Sequence, residues 1–330
     1  MRILITGAAG FMGSHLFDYL LDFGHDVVGV DNYSLGTYKH PRIKNIDLLD
    51  KDRIKKLVDY FQPEIVYHLA AWAHEGLSQF SPIRITENNY NAYLNVLVPC
   101  INNGVKRVVC CSSMSVYGNQ KPPFDEGMER KPADIYAVAK TSMEEATEIL
   151  SKVHGFEYVI LRPHNVYGER QNINDPYRNV VGIFMNRALK GLPPIIYGDG
   201  EQTRAFSYID DITPCIAVAG FEPVSGEIIN IGPSKSYSIN KLAREISTMF
   251  ELSEAPIHVK DRPLEVKHAH CTSEKAERLL GFRDCTPLNL GLMFMYSWAL
   301  EEDDLNFKYL EQGLEIENNK TPITWTQKLM

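Results

Sequence analysis

The chain has 330 residues, of which 44% are hydrophobic, and it carries a formal net charge of −8. This length permits one large domain or two smaller ones, and the composition is sufficient for a substantial core. The acidic balance argues against non-specific nucleic-acid binding, and no apolar run approaches the roughly 20 residues of a membrane span. We therefore expect neither a nucleic acid nor a membrane as a partner.

The first half of the chain alternates short apolar runs with amphipathic segments. The predicted strands are Arg2–Thr6, Asp26–Asp31, Glu64–Ala70, Val105–Ser113 and Glu157–Pro163. The predicted helices are one around Met12–Phe23, then Ile54–Phe61, Asn88–Asn103 and Asp134–His154. Continuous apolar strands between helices are typical of a parallel sheet covered on both faces, so we predict an α/β fold with a doubly wound sheet of the Rossmann type.

After Pro163, the predicted strands and helices no longer alternate regularly. The predicted helices there are Val180–Lys190, Ser238–Phe250, Ser273–Leu280 and Leu288–Leu300, and the predicted strands are Arg204–Asp210 and Glu227–Ile231. The final thirty residues are acidic and then polar, which predicts a loosely packed tail. We expect a cofactor domain in residues 1–163, with later segments around 205–232 returning to it. Residues 164–330 should mainly form a smaller, mixed α/β lobe for the substrate.

The cysteines and the N-terminal residues indicate the compartment. The six cysteines are Cys100, Cys110, Cys111, Cys215, Cys271 and Cys285. None forms a CxxC pair or a His/Cys cluster with zinc spacing, so we predict reduced thiols and no metal site. The first residues, MRILITGAAG, form a strand and a glycine loop rather than a leader. A cytoplasmic location is expected.

A glycine-rich loop follows the first strand. Gly7, Gly10 and Gly13 lie between that strand and a helix, where glycine lets a pyrophosphate approach the backbone and the helix N-terminus offers free amide groups. The spacing is GxxGxxG, and a tight turn is the alternative explanation. Asp31 at the end of the next strand suits a ribose hydroxyl and would repel a 2′-phosphate, which favours NAD over NADP. An ordinary role at the strand end is its alternative.

The reactive groups are predicted in the stretch YAVAK. Tyr136 and Lys140 lie four residues apart, so both side chains can face one ligand on a helix. Tyrosine has a pKa near 10, and we expect the lysine ammonium, together with the positively charged nicotinamide ring of the cofactor, to lower that value and to make the phenol an effective acid–base group. Ser113, at a strand end, could hydrogen-bond the same reacting oxygen, or could serve a turn.

These motifs resemble the extended short-chain dehydrogenase/reductase superfamily and, within it, the NAD-dependent nucleotide-sugar epimerases and dehydratases. The resemblance covers nearly the whole chain: GAAGFMGSH, HLAA, SSMSVYG, YAVAK, RPHNVYG, YGDGEQTRAFSYIDD and RPLEV follow the family's order. It implies the catalytic residues Ser113, Tyr136 and Lys140. It also implies the cofactor-binding residues Gly7, Gly10, Phe11, Met12, Gly13, Asp31, Asn32, Asp47, Leu48, Leu69, Ala70, Ala71, Asn88, Ser112, Tyr136, Lys140 and Pro163. Plain packing is the alternative for Asp47, Leu48 and Leu69–Ala71.

Positions 114 and 115 bear on the type of reaction. Family 4,6-dehydratases carry an acidic pair where Met114 and Ser115 stand, hexuronate decarboxylases usually carry Glu at position 115, and GDP-mannose 3,5-epimerases carry Cys there. A small hydroxyl residue at position 115, such as Ser115 here, resembles the pattern of the UDP-glucose 4-epimerases. The resemblance therefore implies inversion at C4 of a UDP-hexose, with N-acetylated and uronic sugars left open. A 3,5-epimerase and a 4-keto reductase or dehydrogenase remain alternatives, and a non-catalytic NAD-binding module is a third.

The resemblance also implies contacts with the sugar nucleotide. The predicted substrate-binding residues are His74, Ser113, Tyr136, Asn165, Asn179, Tyr197, Arg204 and Arg262. The two arginines match a pair that clamps the diphosphate, although either could be a surface ion pair. His74 departs from the family patterns, and a hydrogen-bonded loop histidine is its alternative. Ala269 stands where some 4-epimerases carry a bulky aromatic residue, so an N-acetyl group could fit. The family often forms homodimers through the helix that carries Tyr136.

Overall fold

The protein is built around a sheet of seven parallel strands, and the computed structural model describes residues 1–330. The strands are β1 (Arg2–Thr6), β2 (Asp26–Asp31), β3 (Ile43–Asn45), β4 (Ile65–His68), β5 (Arg107–Cys111), β6 (Glu157–Pro163), β7 (Val166–Tyr167), β8 (Ile195–Tyr197), β9 (Thr203–Ala205), β10 (Ser207–Tyr208), β11 (Glu227–Ile231), β12 (Ser236–Ser238), β13 (Ile257–Val259) and β14 (His268–Ala269). The helices are α1 (Phe11–Asp22), α2 (Lys51–Phe61), α3 (Glu75–Ser78), α4 (Pro82–Thr86), α5 (Ala92–Asn102), α6 (Ile135–His154), α7 (Val180–Leu189), α8 (Ile209–Val218), α9 (Ile239–Met249), α10 (Glu274–Leu280), α11 (Leu288–Ala299) and α12 (Ile323–Thr326).

The order of the strands in the large sheet is β11-β6-β5-β4-β1-β2-β3. Every pair is parallel, and Ile5 in the centre is aligned with Gly29 of β2 on one side and Tyr67 of β4 on the other. The chain leaves β1 in one direction for β2 and β3, and in the other for β4, β5 and β6. In such a sheet, ligands bind at the carboxyl ends of the strands where the order reverses, which here is between β1 and β4.

Helices cover both faces of this sheet. Helices α1 and α8 belong to the core on one face, and α2, α5 and α6 contribute to the core on the other. Helix α6 has well-formed ends, since the Asp134 carboxylate accepts the amide of Ala137 at 2.8 Å and Gly155 ends the helix with a φ of 77°. The predicted doubly wound Rossmann-type fold is confirmed by this arrangement.

The remaining strands form small sheets that contain mainly C-terminal residues. β8 pairs with β13, β10 with β7, and β9 lies between β12 and β14. Helix α9 begins one residue after the predicted start, and Ser238 caps it: the Ser238 hydroxyl accepts the amide of Lys241 at 3.2 Å. Strand β11 lies at the edge of the large sheet, next to β6.

Two predictions about the later part of the chain are wrong. The segment Arg204–Asp210 is not one strand: it divides between β9, β10 and the start of α8, a helix that was not predicted. Helix α8 contains Pro214, and Asp210 and Asp211 in its first turn favour the helix start. The last residues do not form a loose tail, because Trp325 is only 4% exposed and packs with Leu77 and Phe80.

All six cysteines are free; Cys285 is exposed and the other five are buried. None of the helices combines the length and the apolar character that crossing a membrane would require.

Candidate active site

A cavity of about 360 Å³ extends along the carboxyl ends of the parallel strands. Its lining begins with the glycine loop after β1 and the residues that end β2, β4, β5 and β6. It continues over the small sheets of the later residues, where Ile195–Tyr197 of β8 and Arg204 of β9 line it. Each predicted site residue except His74 lies in this lining.

The glycine loop has the form of a cradle for an anion. Gly7 has a φ of +70°, and a Cβ at this position would lie 2.7 Å from the amide nitrogen of Ala70. A Cβ on Gly13 would lie 2.0 Å from the Gly7 carbonyl oxygen, so the helix can approach the loop only with glycine there. Gly10 precedes α1 without any side-chain cap, and the first turn contains no acidic residue. The free amide groups of this turn therefore fit a diphosphate.

The other residues predicted to bind the cofactor lie around this cradle. Asp31 accepts amide hydrogens from Ala9 at 3.0 Å and Tyr33 at 2.7 Å, which fixes its carboxylate beside the loop. Burial raises the pKa of Asp31. Asn32 donates to the Asp47 carboxylate at 3.1 Å. The remaining lining residues of this group are Phe11, Met12, Leu48, Leu69, Ala70, Ala71, Asn88, Ser112 and Pro163.

Ser113, Tyr136 and Lys140 meet at the middle of the cavity. Ser113 follows β5 and begins a 3₁₀ turn, and its hydroxyl accepts the amide of Ser115 at 3.1 Å. Tyr136 and Lys140 lie one turn apart on α6, and the Lys140 ammonium lies 5.8 Å from the centre of the Tyr136 ring. The ammonium donates to the Cys111 carbonyl at 2.7 Å, so Lys140 is held at the end of β5.

Burial and nearby charged groups of the polypeptide act on the pKa of Tyr136. Burial first, and then the negative charge of Glu75, raise the pKa of Tyr136, whereas Arg178 and Ser113 lower it. Burial also lowers the pKa of Lys140. These shifts arise from the polypeptide alone, in which both side chains are almost completely buried. The expectation that Lys140 and a bound nicotinamide ring together lower the pKa of the phenol stays a prediction.

The far end of the cavity contains the two predicted arginines. Arg262 donates to the Glu265 carboxylate at 2.9 Å, and Arg204 lies 3.7 Å from the same carboxylate. Burial lowers the pKa of Arg204. The Arg262 guanidinium also lies 4.7 Å from the centre of the Tyr197 ring. Glu265, which was not predicted, follows Arg262 by three residues in the RPLEV stretch.

The two asparagines of the predicted substrate site also line the cavity. The Asn165 amide group donates to the Ala205 carbonyl at 2.9 Å. The Asn179 side chain caps α7, where it accepts the amide of Val181 at 3.1 Å and donates to the Val166 carbonyl at 3.1 Å. The orientation of each side chain is thus fixed by hydrogen bonds to backbone groups.

His74 is the predicted site residue that the structure places elsewhere. It is 1% exposed and lies behind the cavity wall, where its Nε2 is 2.7 Å from the carboxylate of Asp175. This is the hydrogen-bonded loop histidine of the alternative interpretation, and a substrate contact is not supported. Its neighbour in sequence, Glu75, does line the cavity.

Glu75 was missed because its position depends on tertiary structure. It begins the short helix α3, and it lines both the main cavity and a side cavity of about 100 Å³. Asp134 also lines the side cavity, and burial followed by the charge of Glu75 raises the pKa of Asp134 to about 7. The signal for Glu75 in the sequence was the position of an acidic residue directly after the HLAAWAH stretch. Further lining residues that were not predicted include Trp72, Tyr177, Arg178, Gln202 and Met330.

Comparison with known proteins identifies this arrangement. The NAD dependent epimerase/dehydratase family matches residues 3–232. This span contains the glycine cradle and the Ser113, Tyr136 and Lys140 group.

The chain belongs to the NAD-dependent epimerase/dehydratase family. Its similarity to a UDP-N-acetyl-alpha-D-glucosaminuronate decarboxylase of Bacillus cytotoxicus is 36% identity over 290 residues, covering 84% of this chain and 88% of the relative. The crystal structure of a UDP-glucose 4-epimerase of Thermotoga maritima with UDP-glucose matches with a TM-score of 0.85 and 31% identity, covering 90% of this chain and 98% of that one. A Thermus thermophilus UDP-glucose 4-epimerase in complex with NAD matches with a TM-score of 0.85 and 28% identity, covering 91% and 99%.

Membership of the family confirms three of the predictions made from the sequence. The chain is an enzyme, it depends on NAD, and it has the family's Rossmann-type fold. The uncapped first turn of α1, the close-packed glycines and the Asp31 carboxylate all fit a dinucleotide.

Proposed function

We propose that this enzyme inverts the configuration at C4 of a nucleotide-diphosphate hexose, with a UDP-hexose as the substrate and a 4-keto sugar as the transient intermediate. One observation carries the proposal: Ser113, Tyr136 and Lys140 lie together beside the dinucleotide cradle, while the neighbouring Met114 and Ser115 supply no acid or base. Elimination of water by the family's dehydratases needs a carboxyl pair at those two positions. Inversion at C4 needs only the tyrosine.

The side chains divide the chemistry between them. When bound, NAD supplies a reversible hydride acceptor and a positive charge beside the phenol. Tyr136 takes the proton of the sugar 4-hydroxyl and later returns it, and Ser113 holds the same oxygen. Lys140, anchored to the Cys111 carbonyl, places a positive charge one helical turn from the phenol. Inversion follows when the 4-keto sugar turns about its bonds to the diphosphate and presents its other face.

The arginine end of the cavity would hold the diphosphate. Arg204 and Arg262 present planar donors that suit phosphate oxygens, and in this structure both face the carboxylate of Glu265. The diphosphate would therefore compete with Glu265 for these donors. We assign the cofactor to the domain of residues 1–163, with returning segments around 205–232, and the nucleotide sugar mainly to residues 164–330.

The side cavity supports a substrate with a large substituent. Ala269, Ser115 and Val266 line it, and Ala269 is buried. A volume of about 100 Å³ next to the sugar is enough for a small acyl group. We therefore propose that UDP-N-acetylhexosamines are accepted. Turnover of UDP-GlcNAc that does not exceed background would contradict this extension.

The position of Glu75 supports a second candidate function, inversion at C3 or C5. Its carboxylate lines the cavity together with Tyr136, and it could remove a proton from a carbon next to the 4-keto group. Such a step would lead to inversion at C3 or C5, as in the 3,5-epimerases. Net reduction of a 4-keto group would consume NADH and release NAD⁺ with every turnover, and net oxidation of a 4-hydroxyl group would release NADH.

A panel of nucleotide sugars, followed by proton NMR, tests these functions. The expected result is equilibration between the C4 epimers of one UDP-sugar pair, with no accumulation of NADH at 340 nm. Deuterium incorporation from D₂O at C3 or C5 would establish the second candidate. Stoichiometric formation of NADH, or release of CO₂ from a UDP-uronate, would contradict epimerisation.

We also propose that the enzyme is a cytoplasmic homodimer. Three exposed apolar residues of α6, Val138, Ile149 and Val153, are spaced so that they share one stripe of the helix, and Val98 of α5 is 50% exposed. Pairing of these stripes in two subunits would form a four-helix bundle. Light scattering coupled to size exclusion should report a dimer, and Ile149→Asp should convert it to a monomer.

A further inference from the structure

The C-terminal segment, residues 304–330, packs against the substrate side of the cavity. Its aromatic anchor is Trp325, which contacts the Phe80 ring at a centroid distance of 5.8 Å and the Tyr177 ring at 5.3 Å. Tyr177 itself lines the cavity, as does Met330 of the segment. The segment is therefore part of the wall around the candidate site.

Hydrogen bonds connect the segment to two parts of the chain that carry lining residues: the short helices α3 and α4, and the loop around Tyr177. At helix α4, the Glu315 carboxylate accepts the amides of Ile83 and Arg84, each at 2.8 Å. In the loop, the amide of Leu310 donates to the Tyr177 hydroxyl at 3.2 Å. Helix α3, directly before α4, bears Glu75 and Gly76, and the loop bears Arg178. The C-terminal segment thus contributes to the positions of these lining residues.

The most direct connection to the substrate site is made by Thr324. This side chain is fully buried, and its hydroxyl oxygen lies 2.5 Å from that of Tyr197. The Tyr197 ring lines the cavity and lies 4.7 Å from the guanidinium of Arg262. A Cβ on Gly76 would lie 3.2 Å from Arg262 and 3.5 Å from Trp325, so the arginine and the segment also meet at this point.

We propose that the C-terminal segment sets the affinity for the nucleoside diphosphate part of the substrate, with Thr324 as the positioning residue that fixes Tyr197 and, through it, Arg262. The proposal rests on the function proposed above, because it assumes that Tyr197 and Arg262 face the nucleotide. Thr324 does not take part in proton transfer. Its loss should weaken binding of the nucleotide and leave the cofactor site unchanged.

The test compares binding of UDP, GDP and NAD by isothermal titration calorimetry in the full chain. Thr324→Val keeps the shape of the side chain but removes the hydroxyl, and Tyr197→Phe removes the other partner of the same hydrogen bond. Each should raise the Kd for UDP by about two- to tenfold, the range expected for one hydrogen bond. The Kd of the double variant for UDP should exceed that of Thr324→Val by no more than about a factor of two, because both substitutions remove the same hydrogen bond. Asn319→Ala, an exposed position of the same segment, is the matched control.

The kinetic readout separates positioning from a general loss of structure. Thr324→Val should raise KM for the UDP-sugar by a similar factor, with kcat and the Kd for NAD within about a factor of two of wild type. Unchanged UDP binding in Thr324→Val, or an equal loss in Asn319→Ala, would overturn the proposal, and so would a parallel loss of NAD affinity. Wild-type enzyme that binds UDP but turns over no UDP-sugar would contradict the proposed function alone. Wild-type enzyme that binds no nucleoside diphosphate would contradict both.

Discussion

A buried carboxylate, Glu144, helps to hold the helix of Tyr136 and Lys140 against the sheet. Glu144 lies one turn after Lys140 on α6 and is fully buried. It accepts hydrogen bonds from Arg162 at 2.6 and 2.8 Å and from Arg130 at 2.6 Å, and the Ser112 hydroxyl also donates to it. We expect its removal to be among the most destabilising single changes in this part of the protein.

The structure predicts an order of stabilities for three variants. Glu144→Leu leaves Arg162, which is 1% exposed, with only the Tyr117 hydroxyl as a side-chain partner, and breaking a buried pair in this way costs about 3–5 kcal/mol. Arg162→Met leaves the carboxylate with Arg130 and Ser112, so its cost should be smaller, about 2–3 kcal/mol. The double variant Glu144→Leu/Arg162→Met removes both charges and should cost clearly less than the sum of the two single changes.

Urea unfolding followed by circular dichroism at pH 7 measures these differences. Burial of Glu144 is outweighed by the hydrogen bonds from Arg162, so the pKa of Glu144 is lowered in the folded state. The carboxylate therefore contributes stability above its unfolded pKa, and this contribution is lost as the pH falls through the folded value. The difference in free energy of unfolding between wild type and Glu144→Leu should therefore become smaller at acidic pH. A Glu144→Leu variant no less stable than Arg162→Met, or strictly additive losses in the double variant, would refute the reasoning.

Three further changes probe the site itself. Tyr136→Phe should lower kcat by about 10²- to 10⁴-fold with an unchanged Kd for NAD, because it removes the proton-transfer group but no contact of the cradle; turnover near the wild-type rate would refute its assignment. Glu75→Gln should move the acidic limb of the kcat/KM profile to lower pH, since the charge of Glu75 raises the pKa of Tyr136, and a shift to higher pH would contradict this sign. Ala269→Tyr should reduce kcat/KM for UDP-GlcNAc relative to UDP-glucose by roughly tenfold or more, whereas an unchanged ratio would mean that the side cavity does not receive the acyl group.

Local sequence signals were sufficient for the parts of the fold that position the cofactor. The alternation of apolar runs and amphipathic segments predicted the strands and helices around Gly7, Asp31 and Ser113, because these elements depend on local periodicity. The four-residue spacing of Tyr136 and Lys140 placed both on one helical face for the same reason. The resemblance to the family added residues such as Arg262, which no local pattern distinguishes.

The features that were missed depend on contacts between distant parts of the chain. Trp325 becomes buried only because Phe80 and Tyr177 provide an apolar surface for it, which a polar sequence context does not reveal. Glu75 reaches the cavity because the loop after β4 folds over the carboxyl edge of the sheet. The raised pKa of Tyr136 likewise follows from burial and from the charge of Glu75, which depend on the tertiary structure.

The fate of the hydrogen atom at C4 tests the proposed reaction most directly. Incubation of the enzyme with UDP-[4-²H]glucose in ordinary water should give UDP-galactose that retains the deuterium at C4, with no net absorbance change at 340 nm. The proposed reaction removes and returns this atom within one active site and leaves C3 and C5 untouched. Loss of the C4 label to a released cofactor, or solvent-derived hydrogen at C3 or C5 in experiments with D₂O, would contradict it.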